Sequence, residues 1–254
     1  MTPELMPGAE PFFYTSETPA HNAVLLVHGF TSSCHSMREL GKRIYENGMD
    51  ARGILLPGHG TTPDDLATRY WSEWYEAVNI AFLEMKKNYN KVFIAGQSMG
   101  GCLALLLAAR NRAVDGVVTI ASGLKIYNTG IGLVPLVKHF IKHKPKLYGP
   151  DVKDERVKQT EVHYTRMPYA SIHELLKLLK SLRAEIGNVT CPLLTIHGRE
   201  DHTFDFRNQD IIYRRVASTQ KKKVVLENTY HLATLDFDKT IVQNETINFL
   251  KSLC

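Results

Sequence analysis

The 254-residue chain has no apolar run long enough to cross a bilayer; its longest, "CLALLLAA" from Cys102, is far short of the roughly 20 residues a membrane helix needs. Nor does it open with a basic start followed by an apolar stretch. "MTPELMPGAEPFFYTS" offers acids and prolines instead, so no signal peptide is expected. Cysteine is sparse: Cys34, Cys102, Cys191 and Cys254 lie far apart, with no C-x-x-C pair and no metal-ligand spacing. Cys102, inside an apolar run, reads as a small buried hydrophobe, which suits a reducing cytoplasm. The chain is only mildly basic, with a formal charge of +5, and it carries no nucleic-acid-binding motif. Runs such as Lys221, Lys222 and Lys223 therefore read as solvated surface, and no nucleic-acid partner is expected. Internal repeats and low-complexity linkers are missing too.

What is present is an ordinary globular composition, 44% hydrophobic with 17 glycines and 11 prolines. That length fits one domain with an insertion or two small domains. Short apolar runs alternate with helical patterns, the mark of an α/β fold with a buried, mostly parallel sheet. The expected strands are "NAVLLVH" from Asn22, "ARGILLP" from Ala51, "KVFIA" from Lys91, "VDGVVTIA" from Val114, "PLLTIHG" from Pro192 and "KKVVLEN" from Lys222. "PFFYTS" reads as an antiparallel edge strand. Helices are expected over "SMRELGKRIYENG", ended by a left-handed Gly48, and over "SEWYEAVNIAFLEMKKN", capped by Ser72. A third, "SIHELLKLLKSLRAEIGN", starts with a Ser171–Glu174 capping box and buries Ile172, Leu175, Leu176, Leu179, Leu182 and Ile186. Between "VVTIASG" and Ser171 no buried strand is evident, and so long a stretch reads as an inserted helical cap. The expected division is a core of residues 1–123 and 187–254, with the cap and its connecting helix in 124–186.

The chemistry centres on "KVFIAGQSMGGCLALLLAAR". Here G-x-S-x-G follows a buried-strand pattern and precedes a helix, the placement of a nucleophile elbow. Small residues at Gly96 and Gly100 let strand and helix pass closely, while Ser98 is pushed out at the sheet end with the helix N-terminus beside it. A serine hydroxyl needs a base, and in this fold class acid and histidine follow in that order on later loops. Asp201 after "PLLTIHG" and His231 after "KKVVLEN" fit, with Glu200 and Asp205 as rivals for the acid. Two backbone amides are needed for an oxyanion. Met99, next to the nucleophile, supplies one, and Phe30 in "LLVHGFTSS" supplies the other after the sharp turn at Gly29. His28 reads as a loop brace, and His59, in a turn bounded by Pro57, Gly58 and Gly60, as structural.

"VLLVHGFTSS", "LLPGHGTTPDDL", "VFIAGQSMGG", "LTIHGREDHTFD" and "YHLATLD", in this order over nearly the whole chain, resemble the α/β-hydrolase superfamily. Within it the sequence is most similar to small bacterial carboxylesterases and monoacylglycerol lipases. The resemblance implies an eight-stranded, mostly parallel sheet flanked by helices, a small helical cap inserted after the sixth strand, and no cofactor. Carried over by motif, it implies Ser98 as nucleophile, Asp201 and His231 as its partners, and Phe30 and Met99 as oxyanion donors. One departure is local: the family commonly has serine or asparagine followed by glycine before the histidine, where this chain has Thr229 and Tyr230. Tyrosine there is expected to narrow the pocket or reshape the last loop.

The implied function is hydrolysis of short- to medium-chain acyl esters through an acyl-enzyme, with monoacylglycerol lipolysis as the alternative. The expected partner is a small ester or monoacylglycerol, and the molecule is a monomer or homodimer. A haloperoxidase-like or acyltransferase activity uses the same fold, and Ser98 argues against a dehalogenase, which needs an aspartate. A non-hydrolytic small-molecule carrier on this scaffold is a further alternative. In the cap, "IGLVPLVKHFIKHKPKLYG" joins apolar residues to lysines without an acid, suiting a weak contact with a lipid interface. The simpler expectation is that its apolar face covers the active site and its lysines face water. His139 and His143 are four apart, as zinc-binding histidines on a helix are, yet they lack a third ligand, so no metal is expected.

Overall fold

The strand order of the sheet follows from which apolar segments are covered on both faces. In a computed structural model describing residues 3–16, 21–127, 130–146 and 149–254, the strands are β1 (Phe12–Tyr14), β2 (Asn22–Val27), β3 (Asp50–Ile54), β4 (Lys91–Gln97), β5 (Val117–Ile120), β6 (His143–Pro145), β7 (Arg166–Pro168), β8 (Leu193–Gly198) and β9 (Lys221–Leu226). Seven form one sheet in the order β1-β3-β2-β4-β5-β8-β9, parallel throughout except for β1, which runs antiparallel to β3. Every expected strand is there, and the edge position of "PFFYTS" holds. The chain is therefore an α/β-hydrolase fold in which a mostly parallel sheet is flanked by helices.

The count is one strand short of the eight implied by resemblance, among the described residues. Only β1 forms before β2, because Pro3, Pro7 and Pro11 remove ladder donors from the segment ahead of it. As a result the insertion follows the fifth strand in the chain, not the sixth.

The helices are α1 (His35–Tyr45), α2 (Pro63–Ala67), α3 (Trp71–Lys86), α4 (Met99–Arg110), α5 (Val134–Val137), α6 (Glu155–Thr160), α7 (Tyr169–Glu185), α8 (Arg207–Arg215) and α9 (Lys239–Lys251). Successive strand residues bury opposite sides of the sheet: Leu25 and Val27 pack with α3, α4 and α7, whereas Val24 and Leu26 pack with α1 and α9. Helix α4 is buried on almost all sides, which explains a sequence apolar all round rather than striped.

Several local expectations change. Gly48 is left-handed after α1 as expected, at φ +88°. Ser72, however, lies inside the first turn of α3; Tyr70 precedes that helix, and its amide donates to Glu73 at 2.6 Å. The Ser171–Glu174 capping box does not form, because α7 begins two residues earlier. Both side chains instead reach out to neighbours: Ser171 Oγ donates to the Leu66 carbonyl, and Glu174 accepts from the Trp71 amide at 3.3 Å. Leu178, not Leu176, completes the buried stripe. The cap also holds strands: β6 and β7 pair antiparallel as a small sheet. Three-residue strands of His-Lys-Pro and Arg-Met-Pro carry neither an apolar run nor β-branching.

The crossing of α4 over the sheet is tight. A side chain at Gly100 would overlap the Val27 carbonyl, and one at Gly96 would overlap the Gly100 backbone. Replacing Gly100 by alanine is expected to destabilise the fold by about 2–3 kcal/mol, read as a lower urea midpoint with an unchanged slope.

Candidate active site

The turn from β4 into α4 holds Ser98 at φ 55° and ψ −120°, a conformation that costs a non-glycine residue energy and is retained because both flanking elements are buried. The Ser98 amide is itself fixed, donating to the Ile120 carbonyl at 2.8 Å. Its Oγ therefore projects from the carboxyl end of the sheet, where the loops after β8 and β9 also arrive. Ser98 Oγ lies 2.8 Å from His231 Nε2, and His231 Nδ1 lies 2.8 Å from Asp201 Oδ2. Residues 133 positions apart are thus brought into one hydrogen-bonded line.

Asp201 is the carboxylate at that position. Glu200 turns outward to Lys153, and Asp205 pairs with Arg207 at 2.7 Å. The Asp201 side chain is fully buried, and its Oδ1 accepts the amides of Thr203 and Phe204, both at 2.8 Å. Burial pushes its pKa up, but the His231 charge and hydrogen bonds from His197 and His231 prevail, leaving the carboxyl well below the usual range. For His231, burial opposes the charged form, yet the Asp201 charge and hydrogen bond outweigh it and raise the imidazole above its ordinary value.

Among the described residues the amides of Phe30 and Met99 donate to no protein acceptor. Gly29 makes the approach possible, since a Cβ there would lie 3.2 Å from Ser98 Cβ. His28 is a brace, as expected from sequence. Its Nδ1 donates to the Gly29 carbonyl at 2.9 Å, its Nε2 accepts the Leu56 amide at 3.1 Å, and burial pulls its pKa down to about 4. Both ring nitrogens are committed, so His28 has no proton-transfer capacity to spare. His59 is buried as well, packed edge-on against His28 and Trp74.

The cap is seated on these loops. Lys146 Nζ donates to Thr31 Oγ1 at 2.6 Å, Ser32 Oγ donates to Glu161 at 2.7 Å, and the Tyr164 hydroxyl donates to the Gly58 carbonyl at 2.8 Å. Burial pulls the Lys146 ammonium down to about 8. A second seat lies on the histidine loop, where buried Asp236 accepts the amides of Tyr230, Lys153 and Asp154. The Tyr230 ring turns to His202, 4.5 Å away, with Lys153 over its face.

The apolar tip of the cap also departs from the simpler expectation. Val134 turns inward, but Leu136 is 65% and Phe140 88% exposed, with Leu133 and Ile141 exposed beside them. Pro135 does not interrupt a helix, since it occupies the first turn of the four-residue α5, where no amide is needed. Leu147 and Tyr148 of the same stretch lie outside the described residues. His139 and His143 do not share a helix: His143 belongs to β6 and lies 3.3 Å from Asp64. Among the described residues no three His, Cys, Asp or Glu side chains gather as a metal set, and no helix is long and apolar enough to cross a membrane.

Sequence reasoning passed over three buried polar residues. Asp236 ends a motif that was read only for His231. Gln97 precedes Ser98 and accepts from Thr234 Oγ1 at 2.5 Å, tying β4 to the histidine loop. His197 touches Asp201 from inside β8. A polar residue within an apolar strand was the available signal for the last two.

Residues 18–238 match the model of a family described as serine aminopeptidase, S33. A thermostable monoacylglycerol lipase of Bacillus sp. strain H-257 is 34% identical, the match covering 96% of this chain and 95% of the relative. A carboxylesterase of Bacillus subtilis strain 168 is 26% identical over 91% of this chain and 93% of its own. Among solved structures, one from work on the metagenome-derived lipolytic enzymes LipS and LipT is 31% identical, with a TM-score of 0.92, covering 98% of this chain and 100% of that one. The chain is a serine-dependent carboxylic ester hydrolase, and it belongs to the α/β-hydrolase family that the matching model describes as serine aminopeptidase, S33.

Proposed function

We propose that Ser98, His231 and Asp201 carry the hydrolysis as nucleophile, general base and orienting carboxylate, and that the amides of Phe30 and Met99 bind the oxyanion. The observation that carries this reading is the unbroken line from Ser98 Oγ through His231 to Asp201, with both links at 2.8 Å. Ser98 attacks the ester carbonyl while His231 Nε2 takes its proton. The two amides meet the developing negative charge at no cost in reorganisation, because no protein acceptor competes for them. His231 returns the proton to the leaving alcohol, and water then repeats the steps on the acyl-enzyme. Gly96, Gly100, Gly29 and His28 support the loops that set these distances.

For substrate we propose short- to medium-chain acyl esters, with monoacylglycerols as the reading the cap favours. Its tip, Leu133, Leu136, Phe140 and Ile141 among Lys138, Lys142 and Lys144, suits contact with an anionic lipid interface, where monoacylglycerols reside. Residues 124–186 would then act as the substrate-facing insertion on a core of 1–123 and 187–254. A reducing cytoplasmic setting is our reading of four free thiols, two of them buried.

Ser98→Ala is expected to lower ester turnover by about 10⁴-fold or more with the fold intact, measured on p-nitrophenyl esters from acetyl to palmitoyl and on monoacylglycerols. Near-normal turnover by this variant would remove the nucleophile assignment, and tight retention of ligand without turnover by the wild type would favour a carrier. Because His231 is raised and must be neutral to act, kcat/KM is expected to fall as pH decreases through a midpoint above about 6.5. A profile flat from pH 5 to 8 would exclude a histidine base. Co-sedimentation with anionic vesicles at low salt is expected for the wild type and to weaken severalfold in Phe140→Ser with Leu136→Ser, with turnover of soluble short esters unchanged. Absence of wild-type binding would eliminate the interfacial role.

A further inference from the structure

His197 lies in β8, four residues before Asp201, and its side chain is fully buried. Its Nε2 is 2.8 Å from the Phe204 carbonyl and 3.0 Å from Asp201 Oδ2. A carbonyl oxygen only accepts, so Nε2 must carry the proton. Nδ1 is buried and has no partner among the described residues; a second proton there would be an unpaired buried donor. The hydrogen is thereby placed on Nε2, directed at the Phe204 carbonyl with Asp201 Oδ2 3.0 Å away.

The consequence falls on Asp201. Its Oδ1 is held by the Thr203 and Phe204 amides, and its Oδ2 accepts from His231 Nδ1 and lies 3.0 Å from His197 Nε2. We infer that His197 is a positioning residue for the reaction: it pins Asp201 Oδ2 so that a single direction remains for the His231 ring, and it shares the negative charge that His231 would otherwise meet alone. Phe204 belongs to both halves of the device, since its amide holds Oδ1 while its carbonyl holds His197. The loop after β8 is thus closed on itself around the carboxylate. A histidine serving only to fill the core would need no contact with Asp201, and the Phe204 carbonyl alone would satisfy it.

The inference rests on the roles proposed above for Asp201 and His231, and its tests separate the two. Removing the His197 donor leaves more charge on Oδ2 facing His231, so the imidazole should become more basic while its orientation loosens. The other charged groups acting on His231 are Asp151 and Lys146, those near His197 are Asp201 and Asp205, and none of them is altered. In His197→Leu, kcat is expected to fall by about 10- to 100-fold with KM within twofold, and the acid limb of the pH profile is expected to move to higher pH. His197→Gln, whose amide nitrogen reaches the place of the ring Nε2, should recover most of the rate and the original limb. A folded His197→Leu enzyme with wild-type kcat and limb would overturn the inference, as would a folded Gln variant no better than Leu. Imidazole nitrogen chemical shifts of the wild-type protein supply a test that needs no variant. His197 is expected to show the Nε2–H tautomer, and an Nδ1–H form would refute it. Ser98→Ala, assayed in parallel, reports on the triad alone, because its result does not depend on His197.

Discussion

The distance at which α4 crosses the ends of β2 and β4 governs the rest of the site. Gly100 faces the Val27 carbonyl, Gly96 faces Gly100, and Gly101 faces Ser122 Oγ, all too close for a Cβ. An added methyl at any of these positions would lift the helix, and with it the Met99 amide, away from the Phe30 amide. It would also carry Ser98 away from His231. The left-handed backbone at Ser98 costs about 1–3 kcal/mol, and only a helix and a strand that are both buried can hold it there.

Electrostatics then work within that rigid frame. A lone buried carboxylate is disfavoured by desolvation, and Asp201 remains ionised because three N–H groups bind its two oxygens and His197 Nε2 lies 3.0 Å from one of them. The arrangement is asymmetric. Backbone amides hold one oxygen permanently, whereas the other is shared between a ring in the strand and a ring in the last loop. His28, by contrast, has both nitrogens bound to backbone and is held neutral by burial. The same residue type is tied to two side chains in one loop and to two backbone groups in the other.

The legibility of these features in the sequence tracked how local their causes are. Strands β2, β4, β5 and β8 were readable because burial on both faces demands uninterrupted apolar residues. Ser98 and Asp201 were readable as candidates because each follows such a strand, and His231 because it follows the edge strand β9 at the same end of the sheet. The pairs that failed depended on distant partners. Ser171 and Glu174 have the spacing of a capping box, but the Leu66 carbonyl and the Trp71 amide claim them from another part of the chain. His197 and Gln97 are single polar residues in apolar runs, and only the packed fold shows which atoms they meet. The strands β6 and β7 had no apolar signature because they lie in the cap, outside the main core.

The double seating of the cap bears on how substrate reaches Ser98. Its base is bound at one side to the loops of Thr31, Ser32 and Gly58, and at the other to Asp236 in the very loop that carries His231. Swinging the insertion away as a rigid door would drag that loop and break the line to Ser98. The insertion and the loop of His231 are thus mechanically joined through Asp236, so a displacement of one is felt by the other.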